Sequence, residues 1–138
     1  KMPATRFGVS MEGTLLRRFD RFVRRRYRNR SEAVRDLARA KVVEEEWEAG
    51  EDEVVGCITL VYDHRKRELS HLLTREQHRQ QHLVICSTHV HLNGHNCLQV
   101  VVARGKPAEV AALADRLIST KGVKHGKLVR STTGRGLA

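Results

Sequence analysis

The pattern of apolar and polar residues changes along the chain, and near the start it alternates at every residue. Residues 6–11 read RFGVSM, which places Phe7, Val9 and Met11 on one face and small or polar residues on the other. Strict alternation predicts a short strand. Because a lone strand is not stable, we expect this one to pair with its counterpart in a second subunit.

Apolar residues then recur at helical spacing over two stretches. The first stretch predicts a helix from about residue 13 to 26. The second predicts a helix that starts at the Asn-Arg-Ser-Glu signal of residues 29–32 and ends at Gly50. The expected order of elements in the first half of the chain is therefore β-α-α.

The second half combines both periodicities. Strands are predicted over residues 54–62, 83–92, 97–103 and 122–129, and helices over residues 66–78 and 107–120. The order β-α-β-β-α-β is that of the split ferredoxin-like motif, and it resembles the ACT fold of small regulatory domains. We therefore predict an α+β protein whose open sheet carries both of these helices on one face, with the other face wet or covered by another subunit.

Charge divides the chain at the same place. Residues 1–41 carry 13 Lys and Arg against 4 acids, whereas residues 42–138 carry 13 against 12. All eight histidines and all three cysteines follow residue 56. This asymmetry favours a nucleic-acid-binding module over a merely solubilising segment. We expect a nucleic-acid-binding domain at 1–49, an acidic linker at 50–53 and a second domain at 54–138.

Composition and motifs exclude several classes of protein. The chain has no run of 18 apolar residues and no signal-peptide pattern, so we expect no membrane association. Three cysteines without a C-x-x-C motif favour a reducing cytoplasm, and Cys57 and Cys86 are expected to be small core residues. The sequence has no recognisable nucleophile–base pair or phosphate loop, so we do not expect an enzyme or a small-molecule substrate.

A histidine-rich stretch at residues 78–97 contains five of the eight histidines and two of the three cysteines. His89 and His91, two apart on a predicted strand, share one face and can hold one metal ion. If the following loop has three residues, Asn93 to His95, then His91 pairs with Cys97 and the thiolate joins the same face. A two-residue Asn-Gly turn would point Cys97 away. We predict the longer loop. Nitrogen and sulfur ligands leave zinc, copper(II) and nickel(II) open.

The strand–helix–helix order of the first half resembles the ribbon-helix-helix DNA-binding fold. In that fold two strands form an antiparallel ribbon in the major groove, which a ribbon fits physically. The resemblance places Arg6, Gly8 and Ser10 at the base-reading positions. It also places Asn29, Arg30 and Ser31 at a helix start that holds a phosphate.

Taken together, residues 6–130 resemble the nickel-responsive transcriptional regulator family. The motifs that carry the resemblance are RFGVSM, YRNRSEAVRDLAR, YDHRKREL, EQH, THVHLNGHNCLQV and GVKHGKL. The resemblance implies one Ni2+ per subunit, bound by His89, His91 and Cys97 of one subunit and His78 of its neighbour. Gln77 would support a ligand, and Glu32 and Asp36 would lie near a second cation. Gly8 and Gln99 depart from the threonine and glutamate that are common in the family.

The resemblance also implies an assembly and an activity. We expect a homotetramer, built as a dimer of dimers, that binds palindromic half-sites in double-stranded DNA and represses nickel-uptake genes when nickel is bound. The alternative is a zinc- or copper-binding structural or storage oligomer with non-specific DNA affinity. The alternating strand at residues 6–11 argues against that alternative.

Overall fold

The computed structural model describes residues 2–138, which form two compact units divided between Ala40 and Lys41. The N-terminal unit contains helix α1 (Gly13–Arg26) and the first part of helix α2 (Arg30–Ala49). Residues 2–12 form neither helix nor strand in the single chain, so the strand predicted for residues 6–11 is not formed there. The reason is physical, since a strand needs a partner for its backbone hydrogen bonds.

Two polar contacts tie α1 and the residues after it to the start of α2. Arg30 donates from Nε and Nη2 to the two carboxylate oxygens of Asp20, both at 2.7 Å. The Tyr27 hydroxyl donates to Asp36, which lies in the first half of α2. Val23 and Ala33 are the buried apolar residues of this unit.

The C-terminal unit is a four-stranded sheet with two helices on one face. Its elements are β1 (Val54–Asp63), α3 (Arg67–Arg79), β2 (Val84–His91), β3 (Asn96–Gly105), α4 (Pro107–Ile118) and β4 (Val123–Arg130). The strands lie in the order β2-β3-β1-β4, and every neighbouring pair is antiparallel. The α+β class is confirmed, and the order β-α-β-β-α-β predicted for this half is the order observed.

Alternation along the central strands determines which side of the sheet is covered. Every second residue of β1 and β3 is buried, and these residues share one core with apolar residues of α3 and α4. Burying one such Leu, Ile or Val side chain stabilises the fold by about 1.5–3 kcal/mol. The opposite face of the sheet carries no helix of this unit.

The edge position of β2 overturns one expectation. Cys86 lies on the open face of this edge strand and is exposed, while Cys57 on β1 is half-buried. The prediction that Cys86 is a core residue is therefore wrong for the single chain.

Among residues 2–138, no helix is both long enough and apolar enough to cross a membrane.

Candidate metal centre and nucleic-acid surface

The β2–β3 hairpin has the longer of the two loops considered above. His91 pairs with Cys97, and the Leu92 amide donates to the Asn96 carbonyl at 3.0 Å, which leaves Asn93 to His95 as the loop. The Asn93 side chain fixes this turn, because its Oδ1 accepts from the amides of His95 at 3.1 Å and Asn96 at 3.0 Å. The predicted register is confirmed.

This register places His89, His91 and Cys97 on one face of the sheet, the face that carries the helices. Cys97 is almost fully buried, whereas both histidines lie on the edge strand and are exposed. Two imidazoles and a thiol thus lie on neighbouring strands, and His91 lies directly opposite Cys97 across the hairpin. Cross-strand neighbours of this kind have Cβ atoms about 4.5–5.5 Å apart.

Tyr62 lies at the centre of this group, and the sequence analysis did not identify it. It pairs with Cys97 across β1 and β3. Its hydroxyl donates to Gln99 Oε1 at 3.1 Å and lies 3.2 Å from His89 Nε2. Burial and the negative charge of the neighbouring Cys97 thiolate raise the pKa of Tyr62 to about 12. The phenol therefore stays protonated at neutral pH.

A third histidine, His64, borders the site from the loop after β1. The ring of His64 meets the ring of His91 edge-on, with centroids 5.0 Å apart. The His64 amide donates to the His95 carbonyl at 2.9 Å, which joins this loop to the hairpin loop. Asp63 supports the same corner, because it accepts from the Arg65 guanidinium and amide, and these contacts hold its pKa well below the usual range.

The remaining predicted residues of the metal site lie on the last turns of α3. His78 is exposed. Gln77 is half-buried, and its Nε2 is the one buried side-chain nitrogen without a hydrogen-bond partner among the described residues. Such a group costs free energy unless it finds an acceptor. Within residues 2–138 of a single chain, no three His, Cys, Asp or Glu side chains are grouped closely enough to hold a metal ion.

The donor set nevertheless fits nickel(II). Imidazole nitrogen and thiolate sulfur are ligands that this ion accepts. The register brings three such donors to one face of the sheet.

In the N-terminal unit the predicted DNA-binding residues fall into two sets. Arg6, Gly8 and Ser10 are exposed in the segment before α1. Asn29 caps α2, since its Oδ1 accepts from the Glu32 amide at 2.9 Å. Arg30 donates two hydrogen bonds to Asp20, as described above, and the next residue, Ser31, is exposed.

The two acids predicted near a second cation lie one turn apart on α2. Glu32 follows the cap within the first turn. Asp36 accepts from the Tyr27 hydroxyl and lies 3.8 Å from the Arg39 guanidinium. A cation at Asp36 would therefore share this carboxylate with a phenol and a guanidinium.

Comparison with known proteins gives a consistent result. The sequence profile of the NikR C-terminal nickel-binding domain matches residues 55–131. Relatives from Geotalea uraniireducens and Geobacter sulfurreducens are each 56% identical over 133 residues, covering 96% of both chains. A relative from Caldanaerobacter subterraneus is 51% identical and covers 96% of this chain and 86% of its own. Each bears the name "Putative nickel-responsive regulator".

A solved structure shares the fold of part of this chain. An uncharacterised protein from Thermotoga maritima superposes with a TM-score of 0.51 over 57% of this chain and 98% of its own, at 15% sequence identity. At that identity the likeness concerns the fold alone. The sequence profile and the relatives, which span nearly the whole chain, show that the chain belongs to the nickel-responsive regulator family.

Proposed function

We propose that this protein is a nickel-responsive, DNA-binding transcriptional repressor of nickel-uptake genes, and not an enzyme. The observation that carries the proposal is the hairpin register, which pairs His91 with Cys97 and places His89 on the same face. Membership of the family makes nickel the metal to test first.

Three ligands would come from one subunit and the fourth from a neighbour. His89, His91 and Cys97 supply two nitrogens and a sulfur, and the exposed His78 of a second subunit supplies the last nitrogen, with one Ni2+ per subunit. Gln77 would use its unpaired Nε2 to orient one of these ligands. Bound nickel would supply a crosslink between subunits.

The N-terminal segments would read DNA in pairs. Two copies of residues 6–11 would form an antiparallel ribbon, with Arg6 and Ser10 directed at base edges and Gly8 contributing no side chain. Asn29, Arg30 and Ser31 would hold a phosphate at the start of α2. The exposed apolar side chains of this segment, Phe7 at 71% and Val9 at 66%, support a surface that another copy covers.

We propose that the assembly is a homotetramer, a dimer of ribbon dimers joined through the C-terminal units and acting in the cytoplasm on palindromic half-sites. Residues 1–49 would form the DNA-binding domain and residues 54–138 the metal-binding and tetramerisation domain, joined by residues 50–53. A second cation near Glu32 and Asp36 would help to stabilise the DNA-bound arrangement of the subunits. Metal and DNA binding would then be coupled reciprocally.

The test is DNA binding with nickel, with zinc and without added metal, at one fixed salt concentration. DNA sequences are first selected from a random pool with nickel present. We expect nickel to tighten binding to the selected duplex, and His89→Ala to abolish that gain. His125→Ala, an exposed histidine on β4, is the matched control and should behave like the wild type.

Each outcome is informative. Equal binding in all three conditions would contradict the nickel-responsive proposal. Equal gains with zinc and nickel, without any preference for the selected sequence, would instead favour a structural or storage oligomer with non-specific DNA affinity.

A further inference from the structure

Helix α1 presents a row of arginines that the proposed site does not use. Five of its six arginines lie within an arc of about 120° at 100° per residue, and we call this set the arginine face: Arg17, Arg18, Arg21, Arg24 and Arg25. All five are exposed. The sixth, Arg26, lies elsewhere, with its guanidinium 5.8 Å from the centre of the Phe22 ring.

The arginine face is not neutralised within the described part of the chain. The one acid of α1, Asp20, is held by two hydrogen bonds to Arg30. None of the ion pairs formed among residues 2–138 includes a member of the face. Like charges three or four residues apart destabilise a helix, so this arrangement favours a bound polyanion over an empty surface.

The dimensions fit a nucleic-acid backbone. From Arg17 to Arg25 the helix rises about 12 Å, while successive phosphates of one DNA strand advance about 3.4 Å along the duplex axis. The face therefore spans about three phosphates. Guanidinium groups bind phosphate oxygens in bidentate fashion.

The apolar side of α1 argues against a membrane as the partner. A helix that lies on a lipid surface exposes apolar residues beside its cationic ones. In this unit Val23 is buried and Phe19 and Phe22 are partly covered, so most of the apolar side of α1 is packed, and Leu15, 56% exposed, lies outside the arginine face. The charged side is thus separated from the apolar side.

We propose that the arginine face of α1 is a second, sequence-independent contact with the phosphate backbone of duplex DNA, outside the ribbon and the start of α2. The inference rests on the proposed DNA binding. It adds a contact that does not depend on nickel or on base sequence.

The test measures the salt dependence of binding to a random-sequence duplex of about 30 base pairs, without added nickel. Each phosphate contact contributes about −0.9 to the slope of log K against log salt. The triple variant Arg17→Gln, Arg21→Gln, Arg24→Gln should make the slope shallower by about 2–3. Glutamine keeps good helix propensity, so circular dichroism should remain unchanged.

A control variant removes the same charge elsewhere. Arg75→Gln, Lys121→Gln, Arg135→Gln changes three exposed basic residues of the C-terminal unit that form no ion pair within residues 2–138. Its slope should match the wild type. The single variant Arg21→Gln, with an expected change of about 1, keeps the test decisive if the triple variant does not fold.

Two results would overturn the inference: an unchanged slope in the triple variant, and an equal loss of slope in the control. An unchanged slope together with lost binding to vesicles of anionic phospholipid would assign the arginine face to a lipid surface instead. The nickel-dependent preference for a selected sequence over random DNA should persist in the triple variant. If the wild type lacks that preference, the proposed function fails while the slope test remains readable.

Discussion

At the scale of single residues, the Tyr62 hydroxyl determines the proton positions in the candidate metal site. It has one proton, which it donates to Gln99 Oε1, so it can only accept from His89 Nε2. His89 would then carry its proton on Nε2 and present the lone pair of Nδ1. A partner on the other ring nitrogen is the usual way in which a protein orients a metal-binding histidine.

Replacing Tyr62 by phenylalanine should cost both stability and nickel affinity. Gln99, only 3% exposed, loses the hydroxyl that it accepts from, which we expect to lower the free energy of unfolding by about 1–3 kcal/mol. Nickel affinity should fall about tenfold or more. Urea denaturation and a titration against a competing chelator measure the two effects.

The double variant Tyr62→Phe, Gln99→Leu separates these effects. It removes both partners of the buried hydrogen bond, so most of the lost stability should return while nickel affinity stays low. If the single variant has the same free energy of unfolding as the wild type, the hydrogen bond to Gln99 does not stabilise the fold.

The sequence predicted the site only as far as local patterns reach. Alternation within one strand placed His89 and His91 together, and a loop length placed Cys97. Tyr62 was missed because its position depends on the pairing of β1 with β3, which joins residues far apart in the chain. Cys86 was misplaced because alternation does not reveal which face of a sheet is covered or which strand lies at the edge.

At the scale of elements, the three-residue loop of the β2–β3 hairpin maintains the ligand register. Replacing Asn93 by alanine removes the side-chain oxygen that accepts from the amides of His95 and Asn96, and with it the contacts that hold the three-residue loop. A slip of one residue to a two-residue turn at residues 93–94 would then move Cys97 to the other face. We expect the nickel affinity to fall by at least about tenfold, which is the effect of losing a residue that orients a metal ligand. Isothermal titration of the folded variant measures this loss.

The substitution Gly94→Ser, in the same loop, is the matched control for Asn93→Ala. A Cβ atom at this position meets nothing within 4 Å, and Gly94 is not among the glycines with positive φ. The serine variant should therefore bind nickel like the wild type. Equal nickel binding by Asn93→Ala and the wild type would show that these two hydrogen bonds do not maintain the ligand register.

The ion pair between α1 and α2 makes the N-terminal unit sensitive to acid. Hydrogen bonding to Arg30 lowers the pKa of Asp20 below its usual value. Its contribution to stability is therefore complete above the pKa of an unfolded aspartate and is lost as the pH falls through the lower folded value.

Hydrogen exchange of the α1 amides in the full chain tests whether the ion pair between Asp20 and Arg30 makes this unit sensitive to acid. For the wild type, the protection of these amides, corrected for intrinsic exchange rates, should decline in that acidic range. For Asp20→Asn the protection should be lower from the start and should not show this acid-dependent decline. Parallel curves for the two proteins would show that Asp20 is not the titrating group.

At the scale of the whole molecule, the exposed apolar residues before α1 predict self-association. Val9→Asp puts a charge on the face that pairs with a second copy, and we expect the assembly to become smaller at equal concentration because that charge would be buried without a partner. Ser10→Asp, one residue later on the other face, should keep the assembly size and weaken DNA binding. Analytical ultracentrifugation distinguishes the two.

Trp47 gives the molecule an internal optical probe. The only tryptophan is 8% exposed, donates from Nε1 to the Ser131 carbonyl at 2.8 Å, and has the Arg130 guanidinium 5.5 Å from its ring. Its fluorescence emission should be blue-shifted in the folded protein and move to the red when the C-terminal unit opens. The unfolding of that unit can therefore be followed without any attached dye, while the arginine-rich N-terminal residues contribute no tryptophan emission.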